Sequence, residues 1–249
     1  MRLAMVVEYD GTDFCGFQSQ VNVPTIQQEI EKAISRLTGK DLRIKGAGRT
    51  DSGVHAQGQV IAFDTNATYS LKVFKKALNH YLSNQIAVKE VYQVEDNFDP
   101  RRMALSRHYR YTMFCGDHRS PLLGRTSHHI QTVLDLNRME IGTKIILGRH
   151  DFSRFAGPTH KTGISTIREI YRIEIQKNND SIELDVEGNA FLPQQVRRIA
   201  GALVDIGNGK LDQIELKKMV DGNASSAIAQ TLPPNGLCLV SVKYKNFPP

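Results

Sequence analysis

The sequence contains no tryptophan and only three cysteines, Cys15, Cys115 and Cys238. The cysteines are odd in number and far apart, and no CxxC pair exists, which argues against a disulfide framework and against a thiolate zinc site. The missing tryptophan excludes nothing. No apolar run approaches the roughly 20 residues that a bilayer-spanning helix needs. The opening stretch, MRLAMVVEYDG, meets an acidic side chain at Glu8, too early for the apolar core of a secretory signal. The expectation is a cytoplasmic chain with no membrane partner. What is present is ordinary: 249 residues, enough for one large domain or two of usual size, with 40% hydrophobic and 23% charged residues as in soluble globular proteins. The net charge of +6 attracts polyanions, nucleic acid above all, but many basic enzymes bind none, so charge alone leaves the partner open.

Periodicity along the chain gives the order of elements. Leu3, Met5, Val7 and Tyr9 alternate as one face of a strand that Asp10-Gly11 ends. Thr25 with Gln28 forms a capping box for a helix carrying Ile26, Ile30, Ala33, Ile34 and Leu37, and Gly39 stops it. Short strands follow over residues 42–45 and 59–64. Ser70 caps a helix with Leu71, Phe74, Ala77, Leu78 and Tyr81, and residues 86–94 form a strand. The first half therefore reads β-α-β-β-α-β. Residues 97–102, NFDPRR, are a turn-rich connector and the best candidate boundary. The second half repeats the order: a strand over 107–115, a helix capped by Asp135, two strands around Ile167–Ile175 and Ile182–Val186, a helix over 192–206, a short helix over 212–220 and a closing strand, LCLVSVKY. The fold class expected is α+β, two ferredoxin-like βαββαβ units with antiparallel sheets joined around a central cleft, divided as residues 1–101 and 102–249. A single α+β domain with accidental periodicity is the competing expectation.

The stretch with the most unusual composition is Lys45–Gly58, KGAGRTDSGVHAQG, which sets Arg49 and Asp51 among four glycines. Three interpretations compete. Gly, Ser, Thr and Asp are turn residues, so a plain surface turn is one. A phosphate-binding loop is the second, but the third glycine of a dinucleotide fingerprint is missing and no Gly-Lys-Ser/Thr follows. The third is a site carboxylate beside a guanidinium. Residues two apart in extended chain face the same side. A carboxylate nucleophile works ionised, and a neighbouring cation favours that form.

GRTDSGVHA, Gly48 to Ala56, resembles the signature of the tRNA pseudouridine synthase A family. The resemblance extends through YDGTDFCGFQSQ, FDPRRMALSRHYRY, HDFSRF, GNAFLPQQVRRIAGALVDIGNG and LPPNGLCLVSVKY, in the family's order over nearly the whole chain. It implies that Asp51 is the catalytic aspartate. It implies that Arg49 takes part in extruding the target base, that Tyr109 packs against the uracil, and that Arg197 pairs with the catalytic carboxylate. It further implies a homodimer, no cofactor and no metal, and uridine at positions 38, 39 and 40 of the tRNA anticodon arm as substrate. The sequence departs from the family at Pro193, Gln194 and Gln195, where a basic or aromatic residue and a methionine are usual; Pro193 is tolerable in the first turn of a helix, and RNA contacts from these positions are in doubt.

The implied chemistry fits one carboxylate. Breaking a glycosidic bond builds positive charge on the ribose, which a carboxylate stabilises or traps, and a hydrolase would need a second acid that neither Asp64 nor Glu90 is marked to be. Removing the C5 proton needs a base that the sequence does not identify. Without the resemblance, Tyr109 reads as a half-buried strand aromatic, Arg197 and Arg198 as a solvated helix edge, and Lys72, Lys75 and Lys76 as solvated lysines. His128, His129, His150 and His160 lack metal-ligand spacing. A tRNA-binding module without catalysis and a nucleotide phosphotransferase are the competing functions.

Overall fold

The computed structural model describes residues 1–158, 163, 165–221 and 229–248. The chain forms two compact units, one of Met1–Leu105 with Cys238–Pro249, the other of Ser106–Leu237. The connector read at residues 97–102 thus precedes the change of unit. The closing strand, Leu237–Lys243, which the sequence pattern assigns to the second half, groups with the first unit.

The first unit contains β1 (Arg2–Tyr9), α1 (Ile26–Thr38), β2 (Lys45–Gly46), β3 (His55–Asp64), α2 (Leu71–Tyr81) and β4 (Ile86–Val94). This is the expected βαββαβ order. β1 lies between β4 and β3, antiparallel to both, with Ala4 opposite Ala62 and Tyr92. The outer edge of β3 is shared. β2 takes one end, Lys45 opposite Ala62, and the closing strand runs parallel along the other, Cys238 opposite His55. The strand expected at 42–45 is found as two residues only, Lys45–Gly46, and β3 starts at His55 rather than at residue 59.

Both helix starts follow the sequence. Thr25 accepts from the Gln28 amide and Ser70 from that of Val73, and Gly39 ends α1 at φ 69°, a value that favours glycine. The capping box is incomplete. The Gln28 carboxamide accepts from the Thr25 hydroxyl and donates to Gln20 O rather than reaching the Thr25 amide. Ile26, Ile30, Ala33 and Ile34 of α1 and Phe74 and Leu78 of α2 are buried. Leu71 and Tyr81, at the two ends of α2, stay more than a third exposed, outside the span that Phe74 and Leu78 anchor. The opposite face of the sheet offers small side chains, Ala4, Val60 and Ala62, and Phe98, Tyr244 and Phe247 cover it. The Tyr244 hydroxyl donates to Pro100 O at 2.7 Å, tying the chain's end to the connector.

The second unit contains β5 (Ser106–Cys115), β6 (His128–Ile130), α3 (Leu136–Ile146), β7 (Gly148–Asp151), β8 (Ile167–Asn178), β9 (Ser181–Gly188), α4 (Gln195–Gly207) and α5 (Gln213–Val220). β9 pairs antiparallel with β5 and β8, and β7 with β8; β6 runs parallel to β5. The β8–β9 turn needs only two residues because Asn179 takes φ 52°. Helices α3 and α4 approach closely at glycine: a Cβ on Gly142 would lie 2.8 Å from Leu203, and one on Gly207 2.9 Å from Met139. α4 starts later than its pattern suggests. Pro193 precedes the helix, Gln194 turns the chain at φ 59°, and Gln195 is buried, its side-chain oxygen accepting from the Leu192 amide at 2.7 Å. Pro193 is therefore not a first-turn proline. No described helix is long and apolar enough to cross a membrane.

Candidate active site

Arg49 and Asp51 stand on the loop that leaves β2 and enters β3. Thr50 between them is buried, while Arg49 is exposed and Asp51 half-buried. Thr50 bonds the Tyr9 hydroxyl at 2.9 Å. Gln59, fully buried, donates to Gly48 O at 3.1 Å and to Tyr9 at 3.4 Å. Burial pushes the Tyr9 phenol up to about 12, against the pull of its bonds to Thr50 and Gln59, so it keeps its proton and remains a neutral brace at any working pH.

Asp51 opens a tight turn. Its carbonyl accepts from the Val54 amide at 3.2 Å, and Gly53 sits at φ 77°, the left-handed position that this turn demands. A second loop, Asp10–Phe17, clasps it. Phe17 N donates to Thr50 O at 3.1 Å, Gly53 N to Phe14 O at 3.3 Å, and the Ser52 hydroxyl to the same oxygen at 3.1 Å. Gly11 and Gly16 are the points of closest approach. A Cβ would lie 2.0 Å from Val54 O at the first and 2.8 Å from Thr50 O at the second. The glycines of the two sequence blocks thus serve each other, letting one backbone lie against the next. His55 closes the clasp. Its Nδ1 lies 3.1 Å from Gly11 N and 3.2 Å from Asp10 Oδ1; it accepts from the first when unprotonated and donates to the second when protonated.

Tyr109 and Arg197 belong to the second unit. Tyr109 and Tyr111 alternate inward along β5, as their spacing predicts, with His108 and Arg110 on the other face. Tyr109 meets the edge of Phe191 with ring centroids 5.3 Å apart. Arg197, on the first turns of α4, donates from Nε to Leu232 O at 2.7 Å, and Arg198 to Thr231 Oγ1 at 3.0 Å and Ala156 O at 2.8 Å. These arginines do more than edge a solvated helix. With Tyr111, whose hydroxyl donates to Pro233 O at 2.8 Å, they grip residues 231–233. Burial raises the Tyr111 phenol above its usual range, partly opposed by the positive charge of Arg197. On the other face of β5, Asp185 is almost wholly buried and bonds His108 at 2.6 Å and Arg110 at 3.0 Å. Its burial pushes the carboxyl up, but the bonds and charges of Arg110 and His108 prevail and hold it below the usual carboxylate range.

Tyr9, Gln59 and His55 were absent from the sequence-based candidates. Tyr9 read as one more strand residue, and only its place beside Asp10-Gly11 hinted at more. Gln59 carried one signal, an amide immediately before the apolar run Val60–Phe63. Among the described residues no three His, Cys, Asp or Glu side chains group to hold a metal ion, and His160 lies outside those residues. Lys75, one of the three helix lysines, pairs with Glu90 at 2.8 Å.

The family model described as tRNA pseudouridine synthase matches residues 5–101 and 143–245. The tRNA pseudouridine synthase A of Geotalea daltonii is 40% identical over 242 residues, covering 97% of this chain and 99% of that protein. The protein of the same name from Geotalea uraniireducens is 37% identical over 98% of this chain and 99% of its own, and that of Ruminiclostridium cellulolyticum 36% identical over 98% and 99%. A chain of a solved Cbf5-Nop10-Gar1 complex is similar over 82% of this chain and 54% of its own, with a TM-score of 0.36 and 11% identity, too distant to bear on fold or function. Matched from end to end at this identity, the chain belongs to the tRNA pseudouridine synthase A family.

Proposed function

We propose that the chain isomerises uridine to pseudouridine in tRNA with Asp51 as the catalytic carboxylate, acting at positions 38, 39 and 40 of the anticodon arm. The reaction breaks the C1′–N1 bond, turns the uracil, joins C5 to C1′, and moves a proton from C5 to solvent while N1 takes one up. Atoms and electrons balance without an oxidant, a reductant or a phosphoryl donor. In this reading Asp51 meets the positive charge that develops as the glycosidic bond breaks. Arg49, exposed beside it, enters the space that the extruded base leaves; extrusion costs a few kcal/mol of stacking and pairing. Tyr109 lies against the uracil and replaces lost stacking, and Arg197 pairs with the carboxylate. The chain works as a cytoplasmic homodimer on this reading.

One observation carries the proposal: the turn that presents Asp51 is fixed by backbone bonds from a second loop and by a buried Thr50–Tyr9–Gln59 chain, while its own side chain stays half open to solvent. A surface turn would not be braced so heavily, and positioning of this kind is what a reacting group requires. A tRNA-binding module without catalysis would have no use for a braced carboxylate facing a polyanion. The test is tritium release from tRNA labelled at uridine C5. Wild type releases it without added cofactor, and Asp51→Asn binds tRNA but releases none. Turnover by Asp51→Asn near the wild-type rate would overturn the assignment.

A further inference from the structure

The second unit has a cavity of about 290 Å³ away from Tyr109, lined in part by Phe114, Arg119, Ser127, His128, His129 and Asn235. That is roughly ten waters' worth of space, enough for a phosphodiester with its sugar. Its walls are built. Asn235 donates its amide to Gly124 O at 2.9 Å and to Ser127 O at 2.7 Å, the Ser127 hydroxyl donates to Leu123 O at 2.8 Å, and the Leu123 amide donates to Ser120 Oγ at 3.4 Å. Phe114 and His129 lie with tilted rings, centroids 5.8 Å apart, and His129 Nε2 is held 2.9 Å from Gly116 O. The described lining residues include no carboxylate, and Arg119 is their only fixed cation. Burial lowers the proton affinity of His128, with His129 adding to the effect, so His128 presents a neutral ring.

A guanidinium, the neutral ring of His128 and an aromatic wall, with no acid among the described lining residues, suit one polyanion segment: charge on Arg119, sugar or base against Phe114 and His129. We propose that this cavity seats a backbone phosphate of the tRNA, as a second holding point for the substrate. The proposal rests on the tRNA reading above. It also has a structural link to the candidate active site, because Pro233, which lines the cavity, is gripped by Tyr111, and Leu232 before it accepts from Arg197.

The experiment compares Arg119→Ala, Arg119→Lys and, as an equal loss of charge on another surface, Lys218→Ala. Both positions are exposed, so folding is not at stake. Filter binding to an unmodified tRNA transcript is read across a salt series, alongside tritium release at saturating tRNA. Arg119→Ala raises Kd about five-fold. It also lowers the slope of log K against log salt by about 1, since one phosphate contact is lost. Its kcat stays near wild type, Arg119→Lys recovers most of the affinity, and Lys218→Ala changes little. Equal effects at Arg119 and Lys218, or no change in Kd and slope at Arg119, overturn the inference. Asp51→Asn run in parallel separates the two readings: its release falls whether or not Arg119 matters, whereas wild type that binds tRNA but releases no tritium fails the isomerase reading and leaves the Kd comparison to decide the cavity.

Discussion

Replacing Gly11 with alanine tests whether the clasp of two loops, rather than Asp51 alone, makes the site. The new methyl group would lie 2.0 Å from Val54 O and 2.7 Å from Val54 C, where ordinary contact begins at 3.4 Å. Both atoms are backbone, so no side chain can swing away. The loops must part by about an ångström or more, and the Gly11 N–His55 bond stretches with them. Overpacking of this kind costs about 1–3 kcal/mol. For a chain of this length that lowers Tm by roughly 2–12 °C. The larger effect falls on turnover, because Val54 closes the turn that begins at Asp51, and a misplacement near 1 Å costs about 100-fold in rate. Tritium release under single-turnover conditions with excess enzyme reads the chemical step, and filter binding reads tRNA affinity. The expected result is a rate about 100-fold lower with Kd nearly unchanged. A soluble Gly11→Ala enzyme with a rate within two-fold of wild type would refute the idea that the second loop positions the carboxylate.

Tyr9→Phe removes the hydroxyl between Thr50 and Gln59, leaving buried polar atoms without their partner; stability falls by about 1–3 kcal/mol in denaturant melts, and unchanged melts would show that the brace contributes nothing. Asp185→Asn probes the outer face of β5. Its carboxyl is held low in the folded chain, so the stability that it contributes is present above the unfolded carboxylate value near 4 and is lost as pH falls through the lowered folded value. The Tm gap between wild type and Asp185→Asn is therefore wide at pH 7 and closes below about pH 4; a gap independent of pH would remove Asp185 from the acid response.

Helix starts were legible because they are local. Thr25, Ser70, Asp135 and Asp212 each cap a helix through a bond to an amide three residues on, and that information lies within one turn of chain. Strands were legible where alternation was strong, as along β5 and β9. The shared edge of β3 was not, because a two-residue β2 and a strand nearly 180 residues later divide it between them, and no periodicity encodes that division. The Pro193–Gln195 turn was misread because valine, isoleucine and leucine spacing continues smoothly through it, whereas Gln194 takes a positive φ and Gln195 bonds back to Leu192 through both its backbone and its side chain. Among site residues, Arg49 and Asp51 were visible as charges amid glycines. The service of Tyr9 and Gln59 was not, since their partnership spans 50 positions and needs the fold to exist.

The placement of the closing strand bears on how the polypeptide matures as it is made. Leu105 leaves the ribosome with β3 still lacking one of its three partner strands and with Ala4, Val60 and Ala62 bare of Tyr244 and Phe247. Synthesis of the intervening unit, on the order of 130 residues, takes roughly 7–26 s at the usual pace of translation. For that interval the nascent N-terminal portion carries an unsealed sheet margin and an apolar floor, and a segment about 130 residues further on seals both.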